Sequence, residues 1–225
     1  MRSTRARIRT LGTATGTAAA TAVLLLAPVA SAQAAPVPVP ASVPAAATAS
    51  APGGNALIRG IDYGMWKRDV AAVMATARPY VEQRIAQSPA GEKPAIVLDI
   101  DNSSLETDFH WFWTFPTPAI SEVRDLTQYA NERGVAIIFV TARPGIIHSL
   151  TEHNLKAVGY PVSDLYVRDL PALFSEVSAY KTAKRAEIEA RGYTIIANIG
   201  NNNSDLVGGH AERTFKLPDY DGKLS

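Results

Sequence analysis

The chain has 225 residues, no cysteine and a formal net charge of +1, with 22 basic and 21 acidic side chains. Without cysteine the fold cannot rest on disulfides, so an apolar core must stabilise it, and a chain of this length can build one. The nearly balanced charge argues against a nucleic acid polymer as the main partner, because phosphate contacts need clustered cations.

Residues 1–35 have the pattern of a secretory signal peptide. A basic start precedes a core rich in Ala, Val and Leu, and "ASAQAA" offers cleavage sites ending at Ala32 or Ala34. The basic residues are not adjacent, which argues against a twin-arginine signal, and their loss lowers the charge from +1 to −3. They are Arg2, Arg5, Arg7 and Arg9. The pattern predicts secretion by a Sec-type signal without later membrane attachment; the alternative is an uncleaved membrane anchor.

A Pro- and Ala-rich stretch without charges, residues 36–54, predicts an extended or disordered linker. One folded domain is therefore expected over residues 55–225. It begins with a helical extension in which apolar residues recur at helical spacing from Trp66 to Ile85. Pro79 lies inside this segment and predicts a kink, or a break between two helices.

Predicted strands and helices alternate over the rest of the chain. The strands cover residues 95–100, 135–141, 164–168, 194–200 and 213–218, and the helices cover 117–134, 145–159 and 178–192. Thr117 is the expected N-cap of the first of these helices, followed by Pro118 in its first turn. Strands rich in Ile and Val, separated by helices, predict an α/β fold with a parallel sheet covered on both faces.

Polar side chains collect near the ends of these predicted strands or in the helix that follows one. They are Asp99, Asp101, Ser103, Thr141, Arg143, Lys181, Asn201 and Asp205. Ligands of open parallel sheets bind outside the carboxyl ends of the strands, so these side chains are expected to share one site.

The residue types in this site suit the transfer of a phosphoryl group. Asp99 at a strand end can attack phosphorus, and Asp101 lies on the same side of an extended strand, where it can protonate a leaving group and then activate water. Two neighbouring carboxylates repel each other and require a cation, for which Mg²⁺ is suited because it prefers oxygen ligands. Thr141 and Lys181 can stabilise the oxygens of the transferring group.

Four segments, "DIDNS", "FVTARP", "YKTAKR" and "NIGNNNSD", closely resemble the four motifs of the haloacid dehalogenase (HAD) superfamily, in the same order. Within it the chain is similar to the class B-like secreted acid phosphatases, a group that includes plant vegetative storage proteins. The resemblance covers about residue 56 to the C-terminal end, including "TFKLPD". It implies a Rossmann-like sheet of about five strands in the order 5-4-1-2-3.

By the same resemblance, Asp99 is the nucleophile, Asp101 the general acid and base, Thr141 a phosphate ligand and Lys181 the residue that steadies the intermediate. The metal would be held by Asp99, Asp101, Asn201 and Asp205. The implied function is a secreted, Mg²⁺-dependent phosphomonoesterase that acts on small phosphate monoesters through an aspartyl-phosphate.

The chain departs from the family pattern at two positions. Ser103 stands where the family often has Thr, and Asn201 stands where an Asp is expected, which removes one charge from the metal site. Asn201 therefore favours an alternative, a weakly active or non-enzymatic storage or binding protein on the same fold, whereas the intact Asp99 and Asp101 argue against it. A third candidate, a phospho-acceptor domain of the receiver type, conflicts with the predicted export and with the D-x-D spacing.

The aromatic stretch 109–115, "FHWFWTF", lies where this superfamily inserts a cap. The insertions are short, so only a minimal cap and an open site are expected. The aromatic side chains of this stretch either stack on a base or ring of the substrate, for which Trp111 and Trp113 are the candidates, or form a hydrophobic hinge that packs on the N-terminal helices. Ser103 and Arg143 are further candidate substrate contacts, although Arg143 could instead begin the next helix. The four histidines show no metal-ligand spacing and are given no role.

Overall fold

The computed structural model describes residues 57–224, so the predicted signal peptide (1–35) and linker (36–54) lie outside the described residues. A hairpin of β1 (Leu57–Ile58) and β2 (Ile61–Asp62) precedes helix α1 (Tyr63–Ala86). The remaining elements are β3 (Pro94–Leu98), α2 (Ser121–Asn131), β4 (Ala136–Pro144), α3 (His148–Ala157), β5 (Asp164–Arg168), α4 (Val177–Ala190), β6 (Thr194–Gly200), α5 (Asn203–Leu206) and β7 (Thr214–Lys216). Within this range no helix is both long and apolar enough to span a membrane.

The central sheet has five parallel strands in the order β5-β4-β3-β6-β7. Numbered within this sheet and read from β7, the order is 5-4-1-2-3, which confirms the predicted α/β topology. Strand β3 is central and pairs with β4 on one side and with β6 on the other. Because all five strands point the same way, the loops that follow them meet at one edge of the sheet.

Both faces of the sheet are covered, and β3 shows why an uninterrupted apolar run was needed. Ile96 and Leu98 pack on one face with residues of α1, α2 and α3, whereas Ala95 and Val97 pack on the other with residues of α4. All four side chains are buried. Burying an Ile, Leu or Val side chain contributes roughly 1.5–3 kcal/mol, so this strand is fixed firmly beneath the residues that follow it.

Helix α1 begins where the Asp62 side chain accepts a hydrogen bond from the Met65 N–H at 2.7 Å, as an N-cap does. It continues through Pro79 as one helix, so the predicted break is not found. Proline removes a single hydrogen bond, to the carbonyl of Ala75, and both residues are exposed, so water can satisfy that carbonyl. One face of the helix is buried, through Trp66, Val70, Met74, Ala77 and Val81.

The predicted start of helix α2 is wrong by three residues, from the expected N-cap to the observed one. The helix begins at Ser121 with Ile120 as its N-cap residue, and Thr117 does not cap it. Instead, the Thr117 backbone pairs with the Asn154 side chain: its N–H donates to Asn154 Oδ1 and its carbonyl accepts from Asn154 Nδ2, both at 2.9 Å. This long-range pair holds Thr117 in the loop, which local sequence could not indicate.

Candidate functional site

A buried lysine connects two of the candidate acids. Lys181 in α4 donates from Nζ to Asp99 Oδ1 and to Asp205 Oδ1, both at 2.6 Å. Asp99 directly follows β3, and Asp205 lies in α5 after β6, so residues from three separate elements meet at the carboxyl edge of the sheet. The side chains of all three are at most 8% exposed. The two carboxylates therefore approach one cation out of contact with bulk water.

Close packing after β6 fixes the position of Asp205. A Cβ on Gly200 would lie 2.4 Å from the Asp205 Cβ, so only glycine leaves room for the aspartate. Asp205 Oδ2 accepts from the Asn202 N–H at 2.8 Å, and the Asp205 carbonyl accepts from Arg185 Nη1 at 2.6 Å. The carboxylate and the backbone of Asp205 are thus both held before any ligand binds.

Asp101 is held by other partners. Arg143 binds it with two hydrogen bonds, from Nε to Oδ2 at 3.0 Å and from Nη2 to Oδ1 at 2.7 Å. The Thr107 hydroxyl donates to Oδ1 at 2.8 Å. Sequence reasoning missed Thr107, although a hydroxyl so soon after the first motif was an available signal. Arg143 lies in β4, at the point where its regular pairing with β5 is interrupted, and does not begin the next helix.

Thr141 precedes this arginine in β4 and is fully buried. Its Oγ1 accepts from the Arg143 N–H at 3.2 Å, and within residues 57–224 we find no acceptor for its hydroxyl proton. That proton is therefore free for an incoming oxygen atom. A ligand reaches it only after a neighbouring side chain moves.

The different surroundings of Asp99 and Asp101 shift the pKa values of these two acids in opposite directions. Burial raises the pKa of Asp99 to about 6; Lys181 opposes this rise, while the charges of Asp205 and Asp101 add to it. Burial would also raise the pKa of Asp101, but Arg143, with help from Thr107 and Lys181, outweighs burial and holds that pKa below its ordinary value. Burial disfavours the Lys181 ammonium, yet Asp99 and Asp205 together raise its pKa. Lys181 therefore remains charged, and the raised pKa of Asp99 places the gain or loss of its proton in mildly acidic solution.

Ser103 and Asn201 bind each other. Ser103 Oγ accepts from the Asn201 N–H at 2.9 Å and donates to Asn201 Oδ1 at 3.1 Å. Asn201 Nδ2 donates to the Leu224 carbonyl at 2.5 Å. Ser103 is fully buried and its hydroxyl is engaged with Asn201, so it supports the two loops, and its predicted contact with a substrate stays a prediction. Leu224 was also missed, and no local sequence signal connects it to this site.

Asp99 and Asp205 bring together the type of donor atom that a hard divalent cation prefers. Asp99 and Asp205 each bring a carboxylate oxygen to within 2.6 Å of the same nitrogen, so these oxygens are at most twice that distance apart, and Mg²⁺ prefers such ligands. The other two predicted ligands are engaged elsewhere, since both oxygens of Asp101 accept from Arg143, and Asn201 binds Ser103 and Leu224. Among the described residues, no group of three or more His, Cys, Asp or Glu is arranged to hold a metal.

Exposed apolar side chains gather at the same edge. We call this set the apolar rim: Trp111, Phe112, Trp113, Phe115, Ile146, Leu150, Leu170, Leu173 and Phe174. These residues lie on the segments that follow β3, β4 and β5. Trp111 and Trp113 are 71% and 62% exposed, and their rings stack with centroids 4.9 Å apart. Both are thus largely open to solvent, whereas Phe109 of the same stretch is buried and stacks on Trp66 of α1 with ring centroids 4.3 Å apart.

The family model described as HAD superfamily, subfamily IIIB (Acid phosphatase), matches residues 21–223. The chain belongs to this family. The sequence-based resemblance is thereby confirmed, and the segments that carried it supply the acids and the lysine described above. Phosphatases of the HAD superfamily generally use a divalent metal ion.

Two plant relatives show how far the likeness extends. The chain is 36% identical over 138 residues to a stem 28 kDa glycoprotein of Glycine max, covering 60% of this chain and 54% of that protein. It is 32% identical over 113 residues to vegetative storage protein 1 of Arabidopsis thaliana, covering 48% and 42%. The chain thus spans about half the length of the curated relatives it matches.

A solved structure supports the fold. The class C acid phosphatase of Bacillus anthracis with tungstate bound superposes with a TM-score of 0.55 at 20% identity, covering 70% of this chain and 79% of that chain. At this level of identity the likeness concerns the arrangement of the HAD-type sheet and helices. It agrees with the parallel five-stranded sheet of this subfamily IIIB chain.

Proposed function

We propose that the protein is a phosphomonoesterase that hydrolyses small phosphate monoesters through an aspartyl-phosphate on Asp99. The observation that carries the proposal is the buried bridge from Lys181 to Asp99 and Asp205, which puts a nucleophilic carboxylate beside a fixed positive charge. Membership of the acid phosphatase subfamily supports the same reaction.

In the first step an Asp99 carboxylate oxygen attacks phosphorus, and the bond from phosphorus to the ester oxygen breaks. Only the ionised carboxylate is a nucleophile, so a pKa of about 6 leaves most of Asp99 competent in neutral solution and a decreasing share as the pH falls below that value. Lys181 is charged and already in place, so it can stabilise negative charge without reorganisation. The free hydroxyl proton of Thr141 can bind a phosphoryl oxygen.

Asp101 must give a proton to the leaving oxygen and then take one from water. Its double hydrogen bond with Arg143 keeps it ionised in the free protein, which suits a base and not an acid. Arg143 has the fork of donors that binds phosphate well. Transfer of Arg143 from Asp101 to the substrate would let the carboxylate take a proton from solvent and then pass it to the leaving oxygen as the acid. Solvent can reach both residues, because their side chains are 17% and 34% exposed.

A divalent metal, which we propose to be Mg²⁺, would be held by Asp99 and Asp205 and would neutralise phosphate charge when bound. We further propose that the protein is exported, as the sequence of residues 1–35 predicts. The name of the Glycine max relative, a glycoprotein, is in keeping with that proposal.

A storage or binding role is the second candidate. It is favoured by Asn201, which departs from the family pattern, and by the similarity to a vegetative storage protein. The two candidates differ in turnover, because a storage protein would keep the fold and the Lys181 bridge while hydrolysing no monoester.

Hydrolysis of para-nitrophenyl phosphate tests the proposal, with wild type, Asp99→Asn and Asp125→Asn compared in Mg²⁺ and in EDTA. Asp125 is an exposed residue of α2 and serves as the matched control. We expect wild type and Asp125→Asn to be active in Mg²⁺ and to lose activity in EDTA. Asp99→Asn should have a kcat several orders of magnitude lower. A kcat of Asp99→Asn equal to that of wild type would exclude the mechanism. A wild-type protein that is folded but inactive would favour the storage or binding role.

A further inference from the structure

Asn201 is a buried residue whose polar groups are all engaged. It is 1% exposed. Its N–H and Oδ1 bind Ser103, its Nδ2 donates to the Leu224 carbonyl, and its own carbonyl accepts from Lys216 Nζ. Asn201 therefore joins three parts of the chain: the loop after β3, the loop after β6 and residues 219–224, which we call the C-terminal segment.

The C-terminal segment has a conformation that needs such anchors. Tyr220, Asp221 and Gly222 have φ angles of 51°, 57° and 78°, and left-handed backbone is unfavourable for the two residues that are not glycine. Beyond this reversal Leu224 is fully buried, and its N–H donates to the Asp219 carbonyl at 3.0 Å. The Asn201 amide fixes the carbonyl of the same residue.

Further contacts tie the C-terminal segment to the N-terminal part of the domain. The Tyr220 hydroxyl donates to Asp69 Oδ2 in α1 at 2.6 Å, and Arg59 Nη1 donates to the Lys223 carbonyl at 2.6 Å. Both contacts are exposed, whereas those of Asn201 are buried. The buried anchor is expected to matter more, because water competes less well for its hydrogen bonds.

Only a side chain with both a donor and an acceptor fits position 201. The Leu224 carbonyl can only accept, so the amide nitrogen must face it, which leaves Oδ1 for the Ser103 hydroxyl. An ionised carboxylate could still accept from Ser103 but would direct its second oxygen at the Leu224 carbonyl. Two buried acceptors would then face each other without a proton between them.

We propose that Asn201 is a positioning residue, which fastens the C-terminal segment and Ser103 to the loop after β6, and that it is not a metal ligand. Through these bonds it holds the loop that begins with Asp99 against the loop that carries Asp205. The departure from the family's aspartate is then a requirement of this anchor. The proposal concerns the site of the proposed phosphatase, but its main test needs no turnover.

Melting temperatures of the metal-free protein provide that test, with Asn203→Asp as the matched control because Asn203 is exposed at the start of α5, two residues beyond Asn201. At pH 7.5 we expect Asn201→Asp to melt roughly 4–8 °C below the control. A decrease of that size corresponds to the free-energy cost of one buried unpaired acceptor in a domain of this length. At pH 4.5 the deficit should shrink, because burial raises the pKa of the new acid above about 3.9 and its protonated form can donate to the Leu224 carbonyl.

Asn201→Ala removes the side-chain hydrogen bonds to Ser103 and Leu224 without adding a charge. It should lower the melting temperature by similar amounts at both pH values, which keeps the proposal testable if Asn201→Asp does not fold. Equal melting temperatures for Asn201→Asp and Asn203→Asp at pH 7.5 would overturn the proposal.

Calorimetric titration of the metal-free proteins with Mg²⁺ examines the second half of the proposal. We expect no tighter binding to Asn201→Asp than to wild type, and a gain of tenfold or more would make position 201 a ligand and refute it. In the active protein, Asn201→Ala should lower kcat about tenfold with KM within twofold, because misplaced catalytic groups slow the reacting complex. A change confined to KM would put Asn201 against the substrate and would also refute the proposal.

Discussion

Lys181→Met removes the cation that Asp99 and Asp205 share. Methionine has a similar length without a charge, so the substitution leaves two buried carboxylates without this partner. Removing one member of a buried ion pair costs roughly 3–5 kcal/mol, because the remaining charge is neither hydrated nor paired. In a domain of 150–250 residues each kcal/mol lowers Tm by about 2–4 °C, so the metal-free variant should melt roughly 6–20 °C below wild type.

The matched control is Lys184→Met in the same helix. Lys184 Nζ lies 2.8 Å from Glu187 Oε2, and these side chains are 29% and 48% exposed. Exposed pairs of this kind contribute about 0–1 kcal/mol, so the control should melt within a few degrees of wild type. The assay is thermal unfolding followed by circular dichroism at pH 7.5 in EDTA, then repeated with Mg²⁺.

Mg²⁺ should restore part of the stability of Lys181→Met, because a divalent cation can neutralise the same two carboxylates. It should not restore turnover, since loss of a donor that stabilises transition-state charge typically lowers kcat by about 10²–10³. If metal-free Lys181→Met melts within 2 °C of Lys184→Met, the bridge is not a determinant of stability and the site has been misassigned.

The remaining predictions concern pH, substrate and export. In metal-free protein, the folding stability of Asp99→Asn relative to wild type should increase by up to roughly 3 kcal/mol as the pH rises from about 4 to 6, and then level off. The reason is that the folded pKa of Asp99, about 6, exceeds the unfolded value, so wild type loses stability in that window. Denaturant titrations that give the same stability difference at every pH would contradict this. Trp111→Ala or Trp113→Ala should lower kcat/KM for aryl or nucleotide phosphates about tenfold more than for small alkyl phosphates, since stacking contributes roughly 1–3 kcal/mol; equal losses on both substrate types would argue for packing alone. The intact mass of protein from culture medium should give a mature N-terminus between Ser31 and Val37, and a retained Met1 would contradict cleavage.

Local pattern was enough to predict the sheet and the positions of its polar ends. Strand β3 could be recognised because its residues are apolar on both faces, and Asp99 stood out as a charge directly after it. Helix α1 was predicted as well, and Pro79 failed to break it because the freed carbonyl of Ala75 is exposed to solvent. The strand, the acid that follows it and helix α1 depend on residues that are neighbours in the sequence, so the sequence alone was enough to predict them.

Contacts between distant residues could not be predicted in the same way. Thr117 has the residue type of an N-cap, but the side chain of Asn154 holds it in a loop. Asn201 was expected at the metal because of its place in the fourth motif, whereas its amide binds a carbonyl 23 residues further along the chain. In each case a hydrogen bond to a remote partner decides the position, and no periodicity or spacing encodes that partner.

The apolar rim also bears on how the protein behaves at an air, resin or detergent surface. Within the described residues, nine of the eleven large hydrophobic side chains that are exposed belong to the apolar rim. This edge of the described domain therefore adsorbs to apolar surfaces more strongly than the rest of it. The protein should be retained on phenyl-substituted chromatography media and released as the salt concentration falls. Detergents added to prevent adsorption would settle on the same end and act as competitors of any aryl substrate, so kinetic comparisons require detergent-free buffers.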